Sequence, residues 1–317
     1  MNGIVYSLEV YDNKLYAGGS FTEADGNTAD NIAAWDGLNW TAAGTGTAGP
    51  VYALDSIGNV LYAGGMFSYA GGSAADNIAS WNGTSWDSVG SGTNNAVFAL
   101  EHYNGELYAG GGFTQAGGTS ADYVAHWDGS GWSALGSGMS TSVYCLRTYG
   151  SDLYAGGNFY WAGGNVVNFI ARWDGANWND MGGGMSSFVS ALLSYNNQLI
   201  AGGNFTTAGG NTVNYIASWG NVTGAPHEMA MPENKIGVYP VPSHSAVTLE
   251  IPGAVHPDFS LFDTYGRKIP TSSYTLSPDG KNSEGKFRLT APGLPSGMYI
   301  FTVTQGGVSS CGKIILY

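Results

Sequence analysis

Residues Ala155–Gly164 read AGGNFYWAGG, two glycine pairs bracketing a phenylalanine. A phosphate-cradling loop would occur once, run from a strand into a helix, and bring a lysine or a helix N-terminus. Here the leading pair returns as Gly18–Gly19, Gly64–Gly65, Gly110–Gly111 and Gly202–Gly203, each followed two residues later by Phe and none by Lys. Glycine inside a strand permits a bulge or the close approach of a neighbouring backbone, so the pair reads as architecture.

The same period runs outward in both directions. Val5, Val51, Val97, Val143 and Val189 are each 46 residues apart. Every copy opens with an apolar run such as VYAL, passes through LYAGGxF or LIAGGNF and a Gly-rich loop, and continues into wording such as IARWDGANW. Four short β runs separated by turn signals make one unit, and such small sheets must stack on copies of themselves to bury both faces. The expected fold is therefore all-β: a β-propeller of five 46-residue, four-stranded repeats, the last incomplete, over residues 1–222. Small residues at the third position of the opening strand (Ser7, Ala53, Ala99, Cys145, Ala191) fit an inner strand crowded near an axis. Cys145 is accordingly a buried small side chain.

Composition agrees. The 317 residues include 51 glycines, ten tryptophans and twenty tyrosines, a make-up suited to strands and turns. Residues 1–222 hold three bases (Lys14, Arg147, Arg172) against sixteen acids, so the whole formal charge of -13 falls on this part. An acidic surface repels phosphate backbones, and nucleic acid is not an expected partner. No run approaches the roughly 18 apolar residues of a membrane-spanning helix. Cys145 and Cys311 lie in different segments and build neither a disulfide framework nor a metal cluster.

The Gly-Gly doublet, Trp35, Trp81, Trp127, Trp173 and Trp219 about sixteen residues on, and a second Trp five later resemble kelch-type propeller repeats. The Gly-Gly-x-Phe and IAxWDGxxW wording is similar to repeats of bacterial secreted proteins and fungal cell-surface cortical markers. Met1 sits four residues before Val5, as Met139 does before Val143 and Met185 before Val189, so it reads as an internal repeat residue. The fifth unit stops after Trp219 without a second Trp. The expectation is a chain shortened at its N-terminus that has lost its signal peptide and at least the N-terminal strand that would complete the last blade and close the ring.

Residues 223–234 read as a linker. From Lys235 to Tyr317 the period is gone, and apolar runs separated by Pro, Gly and Ser predict a small immunoglobulin-like β-sandwich of about seven strands. This segment resembles the C-terminal sorting domain of the type IX secretion system of Gram-negative bacteria. The resemblance rests on Tyr239-Pro240-Val241-Pro242, on DTYGRKI with Gly266 and Arg267, on GLPSGMYIFTV with Gly297 and Tyr299, and on terminal GKIILY with Lys313. Val241 departs from the Asn usual in the family. The resemblance implies recognition by the type IX machinery, passage across the outer membrane, and a cargo secreted or held on the cell surface.

A constellation for catalysis is not evident. The first part has only His102 and His126, at different repeat positions, too few for a galactose oxidase kind of copper site, and only two arginines for a sialidase-type carboxylate cluster. DGxxW lacks the spacing of an Asp-box, and Asp36, Asp128 and Asp174 read as turn formers. No cofactor is expected. One oxygen-bearing residue closes each long loop between second and third strands, Asp30, Asp76, Asp122, Asn168 and Asn214, a set that could ring a Ca²⁺ ion or simply bond local backbone. Extra aromatics appear in the same loops at Tyr69, Tyr160 and Trp161, suited to stacking on a sugar or anchoring a protein. The expected function is recognition or adhesion, binding an extracellular glycan or protein without catalysis. A polysaccharide hydrolase or lyase using paired carboxylates and a structural surface scaffold are the alternatives.

Overall fold

The computed structural model describes residues 1–220, 237–239, 246–250, 258–262, 267–278, 286–295, 297–305 and 308–316. The chain divides into two compact units, Met1–Met229 and Ala230–Tyr317.

In the first unit each 46-residue repeat forms an antiparallel sheet whose strands lie side by side in chain order. Repeat one sets the pattern: an opening strand Ile4–Tyr11, a second Lys14–Ser20, a third Ile32–Trp35 and a fourth Trp40–Ala42. The opening pair closes through two residues, Asp12 and Asn13, at φ 49° and 57°. Two successive positive φ values make the mirror-image turn that matches the strand twist, and Asn, Asp and Gly tolerate it best. Asn104–Gly105 and Asn196–Asn197 repeat the solution. Between third and fourth strands, Asp36 Oδ1 accepts from the backbone N–H groups of Leu38 and Asn39, and Asp128 and Asp174 do likewise for Gly131 and Asn177. These bonds hold the three carboxyls below the usual range, Asp128 at about 2; they favour the ionised form.

The loop between second and third strands is more ordered than expected. It folds into a two-stranded hairpin, in the fourth repeat Trp161–Ala162 against Asn165–Val166, turning at Gly163 and Gly164 with φ 58° and 86°. The two glycine pairs of AGGNFYWAGG thus have separate duties. A Cβ on Gly156 would stand 2.6 Å from Val189 Cγ1 of the next repeat, and one on Gly157 would run into the Ser142 carbonyl where the opening strand bulges. Only glycine lets the sheets approach this closely.

Successive sheets pack opening strand against opening strand. Tyr6, Tyr52, Phe98 and Tyr144 form a column of rings with centroids 5.2, 5.7 and 6.0 Å apart. The Nε1–H groups of Trp86, Trp132 and Trp178 each donate to the preceding repeat, at the carbonyls of Ala43, Val89 and Leu135. Burial is complete for Phe113, Phe159 and Phe205, each worth about 1.5–3 kcal/mol relative to exposure.

The fifth sheet has three strands among the described residues, Val189–Tyr195, Gln198–Gly203 and Ile216–Trp219. As expected of an incomplete last repeat, no fourth strand joins this sheet among the described residues. Asn2 is bonded inside its own repeat, to Thr22 and Glu23, in the manner of Asn94 with Thr114 and Gln115. Among the described residues no strand pairs the first sheet with the fifth.

Among the described residues the second unit has two sheets. One orders Gly237–Tyr239, Ala246–Glu250, Lys286–Thr290 and Thr275–Pro278; the other orders Asp258–Phe262, Gly297–Gln305 and Val308–Leu316. Alternate residues Val247, Leu249, Phe287 and Leu289 from the first meet Phe259, Leu261, Phe301, Val303 and Ile314 from the second in one hydrophobic cluster. This is the inward alternation of two facing antiparallel sheets.

Candidate functional site: the hairpin rim

The two-stranded hairpins carry the exposed aromatics. In the fourth repeat Ala162 points inward and is fully buried, bridging to Met139, so the alternation of a strand turns Trp161 outward. Ser140 Oγ accepts from the backbone N–H groups of Tyr160 and Trp161, and Ser140 N–H donates to the Trp161 carbonyl. The backbone under the aromatics is therefore held at both edges. Trp161 pairs directly with Val166, and their side chains, 56% and 59% exposed, share one face. Tyr160, 54% exposed, lies with its ring 4.6 Å from that of buried Phe169.

Three large apolar side chains thus stand in water on a rigid support. More than half of each aromatic surface is in solvent, and Tyr160 rests its ring on Phe169 as well. Sequence reasoning found Tyr160 and Trp161 but missed Val166, whose signal was a larger apolar side chain where other repeats carry Thr28, Ala74, Ser120 and Thr212. Tyr69, 52% exposed, occupies the hairpin position of Trp161 two repeats away, about 20 Å at ~10 Å per packed sheet. Glu23, Gln115 and Thr207 fill that position elsewhere.

Asp30, Asp76, Asp122 and Asn214 are exposed and Asn168 half-buried, one per repeat. The carbonyls of Asp30, Asp76, Asp122 and Asn168 accept from Thr47, Thr93, Met139 and Met185 N–H, and Asn168 Nδ2 donates to Gly183 O. Among the described residues no three His, Cys, Asp or Glu side chains gather as a metal site. The positions that follow, Asn31, Asn77, Tyr123, Phe169 and Tyr215, are all left-handed, with φ from 63° to 72°. The residues thus sit at a backbone corner set by the repeat.

A column that sequence reasoning did not single out runs along the opening strands: Glu9, Asp55, Glu101 and Arg147 occupy one repeat position. Ser56 Oγ donates to Glu9 at 2.7 Å, Thr148 N–H to Glu101 at 2.8 Å, and Arg147 Nε–H to Ser194 Oγ at 3.1 Å. His102 Nδ1 lies 3.3 Å from Asp55 Oδ1, while Asp55 Oδ2 is buried without a partner. Burial raises the carboxyls of Glu9, Asp55 and Glu101 above their ordinary range. The signal was a charge at one position of the opening strand in four of the five repeats, the fifth having Leu193 there. His126 bonds Glu106 at 2.8 Å and stacks on Tyr108, 5.4 Å between centroids.

Among the sorting residues, Tyr239, Gly297 and Lys313 lie in strands, paired with Thr248, Leu316 and Ile300. Tyr299 is buried, and its hydroxyl donates to the Pro295 carbonyl at 2.8 Å. Arg267 is exposed. Pro240, Pro242 and Gly266 lie outside the described residues.

Residues 237–317 match the secretion system C-terminal sorting domain family. The chain thus ends in a type IX sorting domain, which marks it for export to the cell surface or the medium and for recognition by the secretion machinery. No curated protein matches the chain. No helix among the described residues is long and apolar enough to cross a membrane.

Proposed function

We propose that the repeat unit is a recognition or adhesion module carried outside the cell by its sorting domain, binding an extracellular glycan or protein without catalysis. The observation that carries this reading is the Trp161, Val166 and Tyr160 patch: aromatic and apolar side chains held in water by a hairpin whose backbone at Tyr160 and Trp161 is bonded to Ser140. Exposed aromatics lose solvent on stacking against a sugar face or a protein partner and so supply affinity at fixed positions. Binding without catalysis is supported by the employment of the buried carboxylates, since Glu101 accepts from Thr148 and Asp55 faces His102 at repeat interfaces. On this reading the repeats are kelch-like propeller blades, and Ca²⁺ plays no part in holding the ligand.

The test is binding of the purified chain to an array of polysaccharides and extracellular matrix proteins, alongside Trp161→Ala. Binding to one probe class that falls at least about tenfold in the variant, the loss of a contact worth 1.4 kcal/mol, supports the reading. Turnover of a bound polysaccharide, abolished by replacing one rim carboxylate, would replace it with the hydrolase or lyase alternative. Absence of both binding and turnover would leave the second reading, a structural surface scaffold.

A further inference from the structure

From the second repeat onward the hairpins are free of charge. Residues 68–75, 114–121, 160–167 and 206–213 carry no charged side chain, whereas the same stretch of the first repeat holds Glu23 and Asp25. Exposed Asp76 and Asp122 follow directly on the second and third hairpins. The three bases of the repeat unit lie elsewhere. Lys14 pairs with Tyr11 at the tight turn, at the end of the strands opposite to the hairpins. Arg147 is bonded to Ser194 with Glu101 at 3.8 Å, and Arg172 lies 3.2 Å from Asp152. An anionic polymer laid on the hairpins therefore meets acids and no Lys or Arg within them.

The apolar groups on these hairpins come in two separate stations. Tyr69, Gln115 and Trp161 open their hairpins, each paired with the closing residue, Ala74, Ser120 or Val166, so the three side chains stand on equivalent faces. Tyr69 forms one station, with Met66, 58% exposed, three residues before it. Trp161, Tyr160 and Val166 form the other. The third repeat, between them, exposes Thr114, Gln115, Thr119 and Ser120. Thr114 Oγ1 accepts from Asn94 Nδ2 and Thr119 Oγ1 donates to the Ala116 carbonyl, which fixes both oxygens while each keeps acceptor capacity. Gly112 stands in this repeat where its neighbours carry Met66 and Asn158, and a Cβ there would lie 3.5 Å from the Phe98 ring and 3.8 Å from Ser142 Oγ. Two apolar stations thus flank a low stretch of hydroxyls and one amide, about 20 Å apart at ~10 Å per packed sheet.

We propose that the ligand is an uncharged polysaccharide lying along the hairpins from the second repeat to the fourth, an inference that rests on the recognition reading above. Its sugar rings stack on Tyr69 and Trp161, and its hydroxyls bond Thr114, Gln115, Thr119 and Ser120 between them. A glycan bearing carboxylate or sulfate is recognised through paired cations, which these hairpins lack. A folded protein partner needs a continuous patch of about 800 Å² with an apolar centre; here the centre is polar and the apolar groups are divided. A chain of sugars presents apolar ring faces and hydroxyl edges at intervals, as this rim does. Two weak stations acting on one chain reinforce each other, because binding at the first raises the effective concentration at the second.

Isothermal titration calorimetry of the full chain tests this with a glucan, a mannan and a galactan, with fragments of each about as long as one sheet spacing, ~10 Å, and with alginate and extracellular matrix proteins. One uncharged polymer is expected to bind at least about tenfold more tightly than its fragment at equal sugar concentration, with an affinity that salt does not change, since no charges pair. Trp161→Ala and Tyr69→Ala should each lower the affinity for the polymer at least about tenfold, the loss of a contact worth 1.4 kcal/mol. Trp161→Phe, which keeps an aromatic face, should restore most of it. Thermal melts matching the wild type check that the variants fold. Polymer binding untouched by Tyr69→Ala overturns the proposal, as does binding to alginate alone or an affinity that falls steeply with salt. Binding that depends on Trp161 but goes only to a protein overturns it and leaves the recognition reading standing. Absence of any Trp161-dependent binding removes both.

Discussion

Gly110 lies against Val143 of the following repeat so closely that a methyl group placed on it would stand 2.5 Å from Val143 Cγ1. Gly202 holds the same place in the last repeat and faces open space. One substitution at two equivalent positions should therefore have different effects. Gly110→Ala is expected to cost about 1–3 kcal/mol, the range for overpacking a close-packed interface. Gly202→Ala is expected to change stability by less than about 0.5 kcal/mol, as surface substitutions do. Urea denaturation of the two variants at low concentration checks both; equal destabilisation would contradict the interface described.

The column of buried carboxylates predicts a pH dependence of definite sign. Burial raises Asp55, Glu101 and Glu9 in the folded chain, so the folded state binds more protons than the unfolded state just above the ordinary carboxylate range. Their contribution to stability is present in full below the unfolded values and is lost as pH rises through the folded ones. Asp55→Asn, which removes the buried charge and keeps the shape, is expected to raise the melting temperature at pH 7 by a few degrees, about 2–4 °C per kcal/mol for a unit of this size. The gain should shrink as pH falls toward about 4, where an ordinary aspartate takes up its proton. Thermal melts from pH 4 to 8 check this. A variant less stable than wild type at pH 7 would show that the His102 contact outweighs the cost of burial.

The Cys145 thiol is buried, and burial pushes its pKa far up. The thiolate is the reactive form. Iodoacetamide at pH 8 is expected to leave Cys145 unmodified in the native chain and to label it once guanidinium unfolds the repeats, as read by peptide mass spectrometry. Labelling of the native chain at the rate of a free thiol would mean that the fourth and fifth sheets part readily.

In the second unit Tyr299, a member of the hydrophobic cluster, donates its hydroxyl to the Pro295 carbonyl. Tyr299→Phe keeps the ring and deletes one bond, and should destabilise this unit by about 0.5–1.5 kcal/mol without changing the melting of the repeats. Differential scanning calorimetry separates the two transitions.

Trp161→Ala should leave the melting temperature of the repeats unchanged, because the side chain is more than half exposed and its hairpin is held by backbone and Ser140 bonds. A loss of stability as large as that of a core residue would show that Trp161 is structural and would weaken its assignment to recognition.

Much of the stack was legible because one sequence solves one packing problem five times. Valines at equal spacing exposed the period, and glycine doublets marked where neighbouring sheets meet. Asp128 and Asp174 served as the turn formers their DGxxW setting implied. The hairpin from Trp161 to Val166 escaped notice because its strands are two residues long, too short to show alternation. The Glu9, Asp55, Glu101 and Arg147 column was illegible for another reason: its meaning depends on contacts between residues 47 apart, which only stacking reveals. The incomplete fifth repeat was legible from its missing second Trp, which carries no information on what completes it. The sorting domain was readable from its motifs, Tyr299 among them, although the distance from Tyr299 to Pro295 was not.

The central claim is that one chain joins a repeat stack built for recognition to a separate export signal at residues 237–317. The most direct test places the chain, behind a periplasmic signal peptide, in a Gram-negative bacterium with a type IX system, with and without residues 237–317, and follows the repeats by antibody in the periplasm, on the cell surface and in the medium. The account predicts that the complete chain delivers its repeats outside the outer membrane and that the shortened one stays in the periplasm, folded. Repeats found outside the cell in equal amount without residues 237–317 would contradict it.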